Sequence, residues 1–191
     1  MTKVSAVLLN YKRPDELQKV IEHLSTQPFI DEILVWDNSI APNFMTYGRF
    51  MLAALARNQY VYTQDDDCII ENIQEIFGQF DGTRLVNGMK QERMRFYEGD
   101  HTLVGWGTFF DKAWLRCFDQ YTEKYGFDSL LYREADRIFT SLLDVPRLTV
   151  NADVKDFPSA IGELSMSAQP EHEDTKSKAL HLCEGIKYAR K

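Results

Sequence analysis

The sequence predicts an α/β fold built on a mixed, mainly parallel central sheet flanked by helices, and three observations carry that prediction. Apolar runs of strand length alternate with segments of helical period from the N-terminus onward, the order that gives a parallel sheet covered by helices. Each of the first three strand-like runs ends in polar residues, as strands do where they reach a ligand-binding edge. The chain has 191 residues, 44% hydrophobic and 27% charged, which suits one soluble domain with a core of its own.

Val4 to Leu9 is a continuous apolar-rich run, the composition of a strand buried on both faces. Asn10-Tyr11-Lys12-Arg13 follows as a polar loop, and Pro14 is suited to open a helix. Leu17, Val20, Ile21 and Leu24 then repeat at helical spacing and form one apolar face. Pro28 ends that pattern. Glu32 to Trp36 is a second strand, closed by Asp37-Asn38-Ser39. Arg49 to Arg57 has helical character, and Tyr60 to Gln64, rich in β-branched and aromatic residues, is a third strand. Strand, helix, strand, helix, strand is a Rossmann-like half. Farther on, Arg84 to Val86 and Arg93 to Tyr97 read as strands. Gly105 to Phe110 reads as a glycine-punctuated strand leading to a helix near Lys112 to Tyr121. Ala135, Ile138, Phe139 and Leu142 mark an amphipathic helix, and Ala179, Leu182, Cys183 and Ile186 another at the C-terminus. Asp153 to Thr175 has no periodicity and is rich in Ser, Pro, Glu and Asp.

The net charge of −7 and the pI near 5.1 argue against a nucleic-acid partner, which would favour a basic face. No apolar run approaches the length of a membrane span, and Met1-Thr2-Lys3 leads into strand-like sequence without a signal peptide. Cys68, Cys117 and Cys183 are odd in number, far apart and without metal-ligand spacing, so they read as free thiols of a reducing compartment. The expectation is a cytosolic protein, in the host cytoplasm if the chain is viral. Nothing marks Lys191 as a natural end, which leaves room for a longer parent chain.

The third strand ends in three consecutive carboxylates, Asp65-Asp66-Asp67. Like charges crowded at a strand end repel one another, and a hard divalent cation such as Mg2+ or Mn2+ relieves that repulsion. A solvated acidic turn is the competing reading. Glu134 and Asp136 are a second acidic pair, two residues apart and so about 200° apart around a regular helix. A helix's first turn favours acids through its dipole alone. Gly105 and Gly107 allow close backbone approach, and Trp106 between them offers a flat apolar surface.

Taken in order, these pieces resemble a nucleotide-sugar glycosyltransferase of the GT-A fold, exostosin-like in its details. Val7 to Pro14 resembles the family's opening strand and first loop, and Glu32 to Ser39 its second strand. Arg49-Phe50 stands where exostosin-like enzymes carry Asn-Arg-Phe, although Gly48 precedes it here. Asp65-Asp66-Asp67 matches the Asp-x-Asp metal motif, Gly105 to Phe110 resembles the acceptor-side segment, and Tyr132 to Asp136 resembles the acidic motif of the late helix. The chain also resembles the N-terminal domain of chlorella-virus enzymes that glycosylate capsid protein. The resemblance implies a nucleotide-binding half over 1–100, and an acceptor-side half with the C-terminal helix over 101–191.

It also implies a set of roles. Asp67 would be the direct ligand of Mn2+ or Mg2+, with Asp65 or Asp66 holding ribose or a sugar hydroxyl and Asp65 sharing the metal. Asn10 and Tyr11 would wrap the uracil and ribose of a UDP-sugar such as UDP-glucose, Arg13 and Arg49 would face the diphosphate, and Asp37 would accept from the uracil. Glu134 would be the carboxylate nearest the reacting carbon, with Asp136 second. Trp106 would stack a sugar. A late loop over Gly162 to Lys176 would fold across the donor and bring His172 or Lys176 to the phosphates. The acceptor would be a glycan or glycoprotein.

Three other readings compete. A sugar-phosphate nucleotidyltransferase would carry a glycine-rich loop after its first strand, and Asn10 to Pro14 has no glycine. A haloacid-dehalogenase-like phosphatase also uses Asp-x-Asp, but at the end of a fully apolar first strand. A non-catalytic metal- or glycan-binding module is the reading from outside enzymes.

Overall fold

The first strand, β1 (Val4–Asn10), is buried along its whole length, as its apolar-rich run leads one to expect. It pairs in parallel with β2 (Ile30–Asp37) on one side and with β3 (Tyr60–Gln64) on the other. The computed structural model describes residues 2–40, 42–96, 101–160 and 169–190. Beyond β3 come β6 (Thr108–Asp111), β5 (Leu85–Met89) and β7 (Arg147–Asn151), giving the order β2-β1-β3-β6-β5-β7. Only β6 runs against the rest, since it is antiparallel to both β3 and β5 while β5 and β7 are parallel. The sheet is therefore mixed and mainly parallel. A small second sheet pairs β4 (Cys68–Ile70) with β8 (Val154–Asp156) in antiparallel fashion.

Helices cover both faces. On one side, α1 (Pro14–Ser25) and α3 (Ile73–Gly78) pack through Leu17, Val20, Leu24, Ile73 and Ile76 against Leu8, Tyr62 and Phe109. Pro14 opens α1, with Asp15 and Glu16 complementing the helix dipole in its first turn. On the other side lie α2 (Tyr47–Leu55), α4 (Cys117–Tyr125), α5 (Ser129–Leu142) and α6 (His172–Tyr188). Four phenylalanines fasten this layer: the Phe50 ring centroid lies 5.0 Å from Phe118 and 4.9 Å from Phe139, and Phe110 is 5.2 Å from Phe139. Truncating one of these buried rings to alanine should cost about 3–5 kcal/mol.

Two expectations change. Arg93 to Tyr97 is not a strand: a 3-10 turn occupies Gln91–Phe96, and Tyr97 lies outside the described residues. The described part of the segment has no partner in either sheet. The Asp153 to Thr175 stretch is more structured than its composition suggests. It holds β8, a 3-10 turn at Pro158–Ala160 and the start of α6, while 161–168 lie outside the described residues. No described helix is long and apolar enough to cross a membrane, and Cys68, Cys117 and Cys183 are buried free thiols.

Candidate active site

Parallel register brings the polar strand ends to one edge. Asn10 stands beside Asp37, and β3 delivers Asp65, Asp66 and Asp67 next to them. Asn10 donates from Nδ2 to Asp37 Oδ2 at 2.9 Å and accepts the Arg13 amide at 3.2 Å. Burial pushes the Asp37 carboxyl up, but hydrogen bonds from Asn10 and Ser39 outweigh it and hold Asp37 below the usual range. Lys12 adopts a positive φ of 62° in the first loop, turning the chain so that the Tyr11 amide donates to Asp66 Oδ2 at 2.9 Å.

Two buried arginines organise the carboxylates. Arg13 donates through Nη1 to Asp66 Oδ1 at 2.9 Å, lies 3.7 Å from Asp67 Oδ2, and donates through Nη2 to the Ser159 carbonyl. Arg49, 2% exposed, donates through Nη2 to Asp65 Oδ1 at 2.7 Å, and its Nε lies 3.5 Å from Asp136 Oδ1. Both arginines are buried and paired with carboxylates.

Asp65 keeps 40% of its side chain exposed. Its amide donates to the Gly105 carbonyl at 2.8 Å, and a Cβ at Gly105 would fall 2.0 Å from Asp65 Oδ2. Glycine is what lets the carboxylate lie there. Asp66 is raised by burial, against its bonds from Tyr11 and Arg13. Asp67 is pushed up to about 7 by burial and by Asp65, with Arg13 opposing and Asp66 and Asp156 adding to the rise. Among the described residues no group of three or more His, Cys, Asp or Glu is arranged to hold a metal ion. Asp65 and Asp67 offer carboxylate oxygens only, the donor chemistry that suits a hard divalent cation.

The acidic pair on α5 separates. At Glu134 the helix breaks from helical geometry, with φ −109° and ψ 23°. The Glu134 side chain is 0% exposed and is held by Arg137 at 2.5 Å, Arg133 at 3.8 Å and the Thr175 hydroxyl at 2.7 Å. Asp136 instead faces Arg49 and the triplet, and burial lifts its carboxyl to about 6 despite Arg49. Of the two acids, Asp136 is the one that lies near Asp65.

His172 and Lys176 belong to the first turns of α6. His172 Nε2 lies 3.5 Å from Arg137 Nη2, and burial together with Arg137 lowers the His172 pKa. Lys176 pairs with Glu173 at 3.4 Å. His172 lies near Glu134 on the α5–α6 contact. The Trp106 ring carries the Lys90 ammonium at 4.9 Å, and Lys90 also pairs with Asp156 at 2.5 Å. Lys90, Asp156, Arg137 and Thr175 escaped the sequence reading. Lys90 does follow a strand, and that was the one available signal. A hollow of about 590 Å3 opens between α2 and α4, lined by Trp36, Tyr47, Met51, Leu55, Leu115 and Phe118 among others, and none of the expected site residues lines it.

No protein-family model and no curated protein matches the sequence. Solved structures match in fold. The glycosyltransferase GlyE of Streptococcus pneumoniae TIGR4 aligns with a TM-score of 0.55 and 12% identity, over 97% of this chain and 62% of its own. S. aureus TarS 1-349 aligns at 0.53 and 12%, over 98% and 72%. The 4-diphosphocytidyl-2C-methyl-D-erythritol synthase of Anaerococcus prevotii DSM 20548 aligns at 0.51 and 9%, over 93% and 98%. The fold is thus the GT-A-like one of these glycosyl- and nucleotidyltransferases. The chain spans about three fifths of the length of GlyE.

Proposed function

We propose that the chain is a Mn2+- or Mg2+-dependent glycosyltransferase that moves a hexose or deoxyhexose from a UDP-sugar to a hydroxyl of a glycan or glycoprotein, a viral capsid protein being one such acceptor. The observation that supports this best is the placement of Asp65, Asp66 and Asp67 at the ligand edge of a GT-A-like sheet, with Asp136 turned towards them across Arg49. The sugar's bond to the diphosphate breaks, a bond to the acceptor oxygen forms, and the acceptor proton leaves.

Asp67, with Asp65, would hold the cation, and the bound cation supplies charge neutralisation of the departing UDP diphosphate. Asp37, oriented by Asn10, would accept the uracil N–H, with Tyr11 beside the base. Asp66, engaged by Arg13 and the Tyr11 amide, shapes that first loop. Asp136, lifted to about 6, is matched to removing the acceptor proton near neutral pH in an inverting reaction. Glu134 ties α6 to α5 behind it. Lys176 is assigned to the diphosphate and Trp106 to the wall of the sugar pocket. His172, its pKa lowered, offers a neutral imidazole.

Nucleotidyl transfer is the second reading, favoured by the 98% coverage of the Anaerococcus synthase. The glycine-free loop after β1 counts against it. The phosphatase reading has no counterpart in the GT-A-like sheet, where the acids end the third strand. Calorimetric titration tests the assignment: UDP should bind at least tenfold tighter with Mn2+ than with EDTA, and Asp67→Asn should erase the difference. Equal affinity in both buffers would overturn it.

A further inference from the structure

Arg49 lies between two carboxylates that come from different elements of the fold. Asp65 follows β3, Asp136 belongs to α5, and the guanidinium reaches both from α2, at 2.7 Å and 3.5 Å. The residue after it, Phe50, packs 4.9 Å from Phe139 of α5 and 6.2 Å from Phe110 of β6. Its backbone is therefore fixed against the elements that bear or adjoin the two acids. We propose that Arg49 is a positioning residue, a rigid spacer that sets the separation between the cation site at Asp65 and the acid Asp136, and that it does not itself contact the donor.

The inference rests on the proposed function for what the two acids do, but the clamp itself stands on geometry. A guanidinium is planar and presents its N–H groups in a fixed fork, so it can hold two carboxylates at a set distance where a lysine ammonium cannot. The Arg49 side chain is only 3% exposed, and Nε and Nη1 are buried without a hydrogen bond. Taking a diphosphate would require it to leave Asp65 and come to the surface. That would take from the buried Asp136 its ion-pair partner and the largest favourable charge near it, an expensive change for a buried carboxylate. Asp136 Oδ1 is buried with no hydrogen bond, and its ion pair is with Arg49; Arg137 adds a favourable charge, second to that of Arg49. An error of an ångström between a reacting group and its substrate is enough to cost about 100-fold in rate.

Arg49→Met, Arg49→Lys, Asp136→Asn and the Arg49→Met/Asp136→Asn double variant form the test, read by UDP-sugar turnover, UDP affinity in EDTA, where Asp65 holds no cation, and urea unfolding. Arg49→Met should lower kcat at least 30-fold while the UDP Kd changes less than threefold. In the Asp136→Asn background the same change should cost less than threefold more, because the two residues act as a unit. Arg49→Lys should reproduce the loss of kcat with folding preserved, and it carries the comparison if the methionine variant does not fold. A tenfold weaker UDP Kd, or an equal loss of kcat in both backgrounds, would make Arg49 a donor ligand and overturn the proposal. If the wild type turns over no UDP-sugar, the proposed function falls and the unfolding cycle alone decides the clamp. Coupled shifts of the urea midpoint then support it, and additive shifts overturn it.

Discussion

Replacing Asp136 with asparagine removes a charge from a place where folding disfavours it, and should make the protein more stable while making it inactive. The Asp136 side chain is 16% exposed, and its carboxyl is lifted from 3.8 to about 6, chiefly by burial, with Asp65 and Glu134 adding to the rise and Arg49 and Arg137 opposing it. At ~1.4 kcal/mol per tenfold change in proton affinity, that displacement corresponds to at most about 3 kcal/mol at neutral pH. Arg49 keeps Asp65 at 2.7 Å, so the substitution leaves no buried guanidinium without a carboxylate. A gain of about 1–3 kcal/mol should raise Tm by roughly 2–10 °C for a chain of this size. The sign depends on pH. A carboxyl whose folded pKa is raised favours the fold fully below about 4, and that contribution is lost as pH rises through about 6. Urea unfolding in EDTA should therefore find Asp136→Asn equal to wild type at pH 4 and more stable at pH 8, with turnover down by about 100-fold or more. A variant less stable than wild type at pH 8 would refute the reasoning.

Gly105→Ala should fold yet bind Mn2+ with UDP at least tenfold more weakly, because its Cβ would strike the Asp65 carboxylate; unchanged calorimetric affinity would contradict the packing. Glu134→Gln should lose about 3–5 kcal/mol of stability by orphaning buried Arg137, while kcat of the folded fraction survives. A stable but inactive Glu134→Gln would return the catalytic role to Glu134. The kcat/KM profile should rise with pH through about 6 as Asp136 ionises, and an acid limb unchanged in position in Asp136→Glu would assign it elsewhere.

The first three strands and their polar ends were legible because composition and period agree there. Val4–Asn10 and Tyr60–Gln64 are mostly apolar, aromatic or β-branched, and each closes on a polar amide, Asn10 or Gln64. The triple aspartate was legible for the same reason, since it follows directly on the end of a strand. What the sequence withheld depends on contacts between distant segments. Nothing local shows that Arg49 is buried between Asp65 and Asp136, 16 residues ahead of the one and 87 ahead of the other. The β4–β8 sheet is two three-residue strands, too short for a period. The break at Glu134 also defeats the regular-helix geometry that separated the two acids by angle alone.

Product analysis tests the central claim most directly. With a panel of UDP-sugars, Mn2+ and a glycan acceptor mixture, the wild type should release UDP and lengthen an acceptor by one sugar, and Asp67→Asn should do neither. Pyrophosphate release from UTP or CTP with a sugar phosphate, without UDP release from any UDP-sugar, would contradict glycosyl transfer and identify the site as that of a nucleotidyltransferase.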